Sequence, residues 1–236
     1  MTGRFAPLVL VLLLAAPVMA AADDAPKPAS YIDAAAVDSK KLLPTPPANN
    51  SPETTQEIEY IFQQQSTRTP EQVARIQAEK DYSVGAFANV AGRVLDKVSA
   101  GGLPATAALL NRVAATAKPI ADTAASDWNR QPPFAINSRV FPAVEKPEGG
   151  SYPSGASTQA TIDALVLSQL VPGQKDAILQ RGREIGADQV TAGVNFPSDV
   201  LAGRILGNAV FKQMMQDPQF KSDLAAAKVE VRGNRN

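Results

Sequence analysis

The chain is 236 residues long and contains neither histidine nor cysteine. Those two absences exclude a Ser-His-Asp or Cys-His triad, a phosphohistidine intermediate, histidine-ligated metals, and cysteine-based zinc or disulfide frameworks. Lys+Arg and Asp+Glu number 23 each, so no charge excess draws the chain to nucleic acid or an anionic membrane surface. At 44% hydrophobic and 19% charged, the composition is that of a globular protein, neither disordered nor membrane-embedded.

Residues 1–22 read as a signal peptide. Arg4 supplies the positive n-region, Phe5 to Ala16 the apolar h-region, and Val18-Met19-Ala20 a small-residue cleavage signal, with Ala20-Ala21-Ala22 as a second candidate. The apolar run is shorter than the ~20 residues that span a bilayer. A periplasmic or secreted protein with no membrane span after cleavage is therefore expected.

Residues 23–68 read as an extended, proline-rich arm. Pro26, Pro28, Pro44, Pro46, Pro47 and Pro52 each remove a backbone donor, and only Thr54 to Gln65 has helical composition. Residues 69–236 then form one domain. Thr69-Pro70-Glu71 starts a helix, with Thr as N-cap and Pro at the first helical position. From Ser83 the residues Val84, Phe87, Val90, Val94, Leu95 and Val98 recur at helical spacing up to Gly101-Gly102. Pro104 starts another helix, which Pro119 is expected to interrupt. Residues 130–155 carry five prolines and paired Gly149-Gly150, predicting a long irregular connection of the kind that carries function. Helices are predicted over Ser157–Leu170, Gly173–Gly193, Pro197–Gln216 and Pro218–Val229. Gly182 and Gly186, and likewise Gly203 and Gly207, stand one turn apart, a spacing that suggests helices in close contact. No period-2 segment of length is visible, so the fold class is all-α, a single-domain bundle.

Gly150-Ser151-Tyr152-Pro153-Ser154-Gly155, leading into a helix, carries a resemblance together with Asp127-Trp128-Asn129-Arg130-Gln131-Pro132-Pro133-Phe134, Asp176 to Gly182, Ser198 to Gly203 and Asp217-Pro218-Gln219-Phe220. These segments, in this order over residues 70–230, resemble the bacterial class A non-specific acid phosphatases of the phosphatidic-acid-phosphatase type 2 and vanadium-haloperoxidase superfamily. The resemblance implies the helical bundle of that superfamily and a signature K-x6-R-P, P-S-G-H and S-R-x5-H-x3-D. In such enzymes the Lys and both Arg hold phosphate, the first His protonates the leaving group, the last His becomes phosphorylated, and the Asp orients it.

At those positions this chain carries Ala125 for the Lys, Pro132 for the first Arg, Ala156 for the acid His, Asp188 for the Ser, Gln189 for the second Arg and Asn195 for the nucleophile, while Asp199 survives. The spacings are intact, so the five side chains that bind charge or transfer protons are gone from an otherwise retained frame. Catalytic residues are not expected, and a vestigial, nearly neutral phosphate pocket is expected around Ser154, Gly155 and Asp199, lined by Ala125, Pro132, Ala156, Gln189 and Asn195. Ser154 reads as a helix N-cap or as an anion cradle. Asp199 reads as a first-turn capping acid or as a carboxylate nucleophile or metal ligand. Trp128 and Tyr152 read as core or as stacking surfaces. Arg130 is two residues from the position of the lost Arg and is expected to point elsewhere; Lys118 is two turns too far along its helix to replace the lost Lys.

The function expected is an exported pseudophosphatase, a binding or scaffolding protein. The alternatives are an active periplasmic acid phosphatase or other phosphoester hydrolase with a histidine-free mechanism, and a partner-binding module acting through the arm. No cofactor, metal or nucleic acid is expected; a ligand or protein partner of unknown identity is, and self-association is compatible with the glycine-paired helices.

Overall fold

The structure is a computed structural model that describes residues 29–79 and 83–234. The signal-peptide assignment falls outside the described residues. Among them the regular elements are helices: α1 (Ser39–Leu42), α2 (Pro52–Thr67), α3 (Pro70–Ala78), α4 (Ala88–Ser99), α5 (Pro104–Trp128), α6 (Pro133–Ile136), α7 (Gly155–Leu170), α8 (Lys175–Thr191), α9 (Pro197–Met214) and α10 (Pro218–Gly233).

Helix α7 is the axis of the bundle. Its buried residues, from Ala156 round to Leu170, cover every face, as expected of a helix enclosed by neighbours rather than lying on a surface. It packs against α5, α8 and α9. The two glycine pairs explain the closeness. They do not chiefly face each other, because both press onto α7: a Cβ on Gly182 would stand 2.8 Å from the Ala164 Cβ, and one on Gly207 2.8 Å from the Thr158 carbonyl oxygen. Gly203 is the tightest, with the Ser154 carbonyl oxygen only 2.5 Å from where its Cβ would be. Omitting the side chain lets two helix backbones meet, at a propensity cost of roughly 1 kcal/mol per glycine.

Helix ends follow local chemistry. Thr69 accepts from the Gln72 N–H and the Gln72 side chain accepts from the Thr69 N–H, a reciprocal capping box. Asp217 caps α10 through the Phe220 N–H. The start of α5 has no cap of its own and is served from across the bundle: Glu230 of α10 accepts from the Ala105 and Thr106 N–H groups and from the Thr106 hydroxyl.

Two expectations are corrected. Pro119 does not interrupt α5, which runs through it to Trp128. A mid-helix proline costs ~3 kcal/mol, and the burial of Val113, Ala117, Ile120, Ala121 and Ala124 along one face offsets it. The described part of the arm is helical over Pro52–Thr67, where the sequence has helical composition, but it packs on the bundle instead of standing off as an extended arm. Tyr31, Ile32, Val37 and Leu43 join the main core, while Ile58 and Ile61 of α2 pack with Val140, Val190, Phe196 and Val200. Prolines exclude helix locally, but apolar residues between them still find a core.

Residues 129–154 form the long connection, irregular apart from the single turn α6. Gly150 lies so close to the end of α5 that a Cβ would stand 2.6 Å from the Ala125 carbonyl oxygen. That approach folds the connection back over α5 and shapes one wall of the site.

Candidate functional site

Between the end of α5, the returning connection and the start of α7 lies a cleft of about 470 Å³. Ala125, Pro132, Ala156 and Asn195 line it together with Gly155. Four of the five substituted signature positions therefore converge on one cavity from well-separated segments. Gln189 does not join them: it is buried outside the lining, and its backbone carbonyl accepts from the Val194 and Asn195 N–H groups. Ser154 and Asp199 also lie behind the lining, both buried.

The expectation of a neutral cleft is corrected in sign. Its charged lining residues are two carboxylates, Asp122 and Glu148. Lys118 pairs with Asp122 at 2.9 Å on an exposed turn of α5, an interaction worth little in high dielectric. Neither acid is marked by a motif; both reach the cleft only because α5 and the returning connection form its walls.

The cleft floor is a closed hydrogen-bond network. Ser154, the N-cap of α7, accepts from the Ser157 N–H at 3.3 Å and donates its hydroxyl to Asn195 Oδ1 at 3.1 Å. The Asn195 amide donates to the Ser151 carbonyl at 2.7 Å and approaches Asp199 Oδ2 at 3.5 Å. Asn195 thus has its amide oxygen and nitrogen committed to the protein, and Ser154 acts as a cap.

Behind this floor is a buried ionic cluster. Asp199 Oδ2 accepts from the Phe196 N–H at 2.8 Å, so it does serve as a first-turn acid at the start of α9. Its other oxygen accepts from Arg130 Nη1 at 2.7 Å. The same guanidinium donates to Ser198 Oγ and, through Nη2, to Glu57 Oε2 at 3.0 Å and Thr54 Oγ1. It also stacks on the Phe196 ring, 3.9 Å from the centroid. Glu57, from α2, further accepts from the Ser198 N–H at 2.6 Å. Arg130 does point away from the cleft, in keeping with its offset from the family's Arg position. Burial pushes the Asp199 carboxyl up to about 6, against the opposing pull of Arg130 and the Phe196 N–H. At neutral pH it is an ionised, paired group with no face on the cleft. Glu57 has no signal in the sequence, since it meets Ser198 across 141 residues.

A second ionic group holds the position of the family's Ser-Arg pair. Asp188 receives a two-pronged contact from Arg75 of α3, at 2.9 and 2.6 Å. Arg181 adds its guanidinium and also pairs with buried Glu79.

Trp128 and Tyr152 meet edge to face at 5.4 Å, with Tyr152 buried and Trp128 half-buried; neither lines the cleft. Deeper along α7, Asp163 accepts from the Gln159 amide, and desolvation raises its carboxyl to about 7. Among the described residues no cluster of three acidic side chains could hold a metal, and no helix is long and apolar enough to cross a membrane.

No family model matches the sequence. The chain is 30% identical to a non-specific acid phosphatase of Salmonella typhi over 206 residues, covering 85% of this chain and 82% of that one. It is 30% identical to a non-specific acid phosphatase of Providencia stuartii over 203 residues, covering 83% and 81%. It is 33% identical to an acid phosphatase of Zymomonas mobilis over 149 residues, covering 61% and 55%. Among solved structures, a PAP2-type phosphatidylglycerolphosphate phosphatase from Bacillus subtilis is similar at a TM-score of 0.49 and 20% identity, over 71% of this chain and 87% of that one. Relatives of one name, matched over more than four fifths of both chains and joined to an all-helical fold, place this chain in the family of bacterial non-specific acid phosphatases.

Proposed function

We propose that the chain is an exported binding or scaffolding protein on the acid phosphatase fold, with no phosphomonoesterase activity of its own. The observation that carries this reading is the cleft lining: Ala125, Pro132, Ala156 and Asn195 stand where the resemblance places cations and histidines, and the charged side chains that remain are carboxylates. Three cationic contacts to phosphate, at ~1.5–3 kcal/mol each, correspond to ~5–9 kcal/mol of anion binding. Loss of a general acid removes a further ~10²–10⁴ in rate. Asn195 offers no nucleophile, because an amide nitrogen is not basic. A histidine-free hydrolase acting through Asp199 is less well supported, since Asp199 is buried, ion-paired and outside the cleft lining.

Assay of the pure protein against an aryl phosphate from pH 4 to 8, with and without divalent cations, tests the reading. The expected result is no turnover above background at any pH. Turnover by the parent would overturn it, and its loss in an Asp199→Asn variant that keeps the parent's fold would favour the histidine-free route.

A further inference from the structure

Arg130 is placed unusually for a buried cation. Its neighbours Asn129 and Pro132 line the cleft, and its carbonyl accepts from the N–H of Ser151, another lining residue. Its backbone therefore runs in the cleft wall, while its guanidinium is turned to the back of the floor. Two carboxylates hold it there, Asp199 of α9 and Glu57 of α2. The Arg130 Nε is nonetheless buried without an acceptor. In this position the guanidinium is strongly neutralised but not fully hydrogen-bonded, and a buried donor left unmade is costly.

The asymmetry lies in where the carboxylates come from. Asp199 is part of the bundle itself. Glu57 belongs to α2, which stands between an irregular stretch, residues 43–51, and the break at Arg68 and Thr69. Its apolar seat is a satellite cluster apart from the main core: Ile58, Ile61 and Phe62 against Val140, Val190, Phe196 and Val200, with Phe134 and Ile136 at its edge. Besides Thr54 and Glu57 at the ionic cluster, its ties are polar or at its rim: Gln64 to the Thr191 hydroxyl, Gln65 to the backbone of Arg139 and Phe141, Arg68 to the Phe141 and Thr191 carbonyls, and Phe62 under Arg139.

We propose that Glu57 is a latch: α2 holds the Arg130 guanidinium behind the cleft floor, and releasing Glu57 lets Arg130 turn into the cleft and bind a tetrahedral oxyanion. This rests on the reading that the cleft has no cation of its own. The charged groups facing Asp199 are Arg130 and, across it, Glu57, with the Tyr152 phenol near enough to be raised to about 12 by burial and then by the Asp199 charge. Burial raises the Asp199 carboxyl to about 6, so acid weakens its hold on Arg130. The contribution of Asp199 to the latch therefore falls in acid.

Inorganic sulfate is the probe, because its charge is constant over this range. Titration calorimetry at fixed ionic strength, at pH 5 and pH 7.5, compares the parent with Glu57→Gln. A single new charge-assisted hydrogen bond from Arg130 to sulfate corresponds to an affinity increase of about tenfold or more. The increase should be larger at pH 5, and absent when Glu57→Gln is combined with Arg130→Gln. Ile58→Ala with Ile61→Ala loosens the seat of α2 while leaving every charged side chain of the cluster in place, and it should raise sulfate affinity in the same direction. That pair decides the matter if Glu57→Gln does not fold. Unchanged sulfate affinity, or an increase that persists without Arg130, overturns the latch. Turnover of an aryl phosphate by the parent would instead overturn the pseudophosphatase reading, whichever way sulfate binds.

Discussion

In front of Asn195 the cleft is walled by alanine, proline and glycine, and its charges are the exposed Asp122 and Glu148. Behind Asn195, Arg130 lies 2.7 Å from buried Asp199 and 3.0 Å from the partly buried Glu57. Each side of the floor carries two carboxylates, but those in front are exposed while those behind share a buried cation. The resemblance places phosphate-binding cations on the front, where the substrate's charge is their partner. Charges on the back are balanced by the protein itself in this structure. A chain released from phosphatase chemistry, as proposed above, is free to lose the first kind. It cannot lose the second piecemeal, because removing one partner strands another in low dielectric.

The largest expected effect tests that claim on the back. Arg130→Ala leaves Asp199 and Glu57 without their shared counter-charge and should destabilise the fold by ~3–5 kcal/mol, read by chemical denaturation at pH 7.5. A loss below ~1 kcal/mol would mean the cluster is better solvated than its burial implies.

Asp163 sharpens the comparison, because its hydrogen-bond partner is a neutral amide rather than a cation. Desolvation raises its folded carboxyl from the ordinary carboxylate range to about 7. The folded state therefore binds the proton more tightly than the unfolded one. Stability from this group is fully present below about pH 4 and is lost as pH rises to about 7, by a few kcal/mol in order of magnitude. Asp163→Asn should flatten that part of the stability profile, making the variant relatively more stable at pH 8 than at pH 4. An unchanged slope in thermal melts across that range would refute the assignment.

The seam between α7 and α9 joins front to back, and Gly203 is where it is tightest. Gly203→Ala brings a methyl onto the Ser154 carbonyl oxygen, a backbone atom that has no rotamer to adopt. A loss of ~1–3 kcal/mol is expected, with equilibrium unfolding as the measurement. Alanine's better helix propensity would dominate only if the seam were already open.

On the front, Glu148→Gln should change stability by less than ~0.5 kcal/mol, since an exposed carboxylate with little to lose contributes little. A thermal shift comparable to that of Arg130→Ala would erase the distinction between the two sides.

The helix periods, the Thr69 and Asp217 caps and the all-α class were legible in the sequence because they depend on neighbours within about a turn. The substituted signature was legible too, since Ala125, Pro132, Ala156 and Asn195 keep the spacings of the segments around them. Gln189 falls off the cleft for a physical reason: spacing gives a side chain's position along a helix, not the face that tertiary packing turns to a cavity. Pro119 differs from expectation in the same way, its local cost outweighed by a buried face that only the bundle supplies. The pairing of Glu57 with Arg130, the Glu230 cap on α5 and the carboxylates Asp122 and Glu148 at the cleft were decided by tertiary structure alone. Each joins or assembles residues from separate segments, where no periodicity, cap rule or propensity acts. Charge balance in a buried site is a property of the assembled fold, and it sets which residues around the cleft the chain can change without stranding a charge.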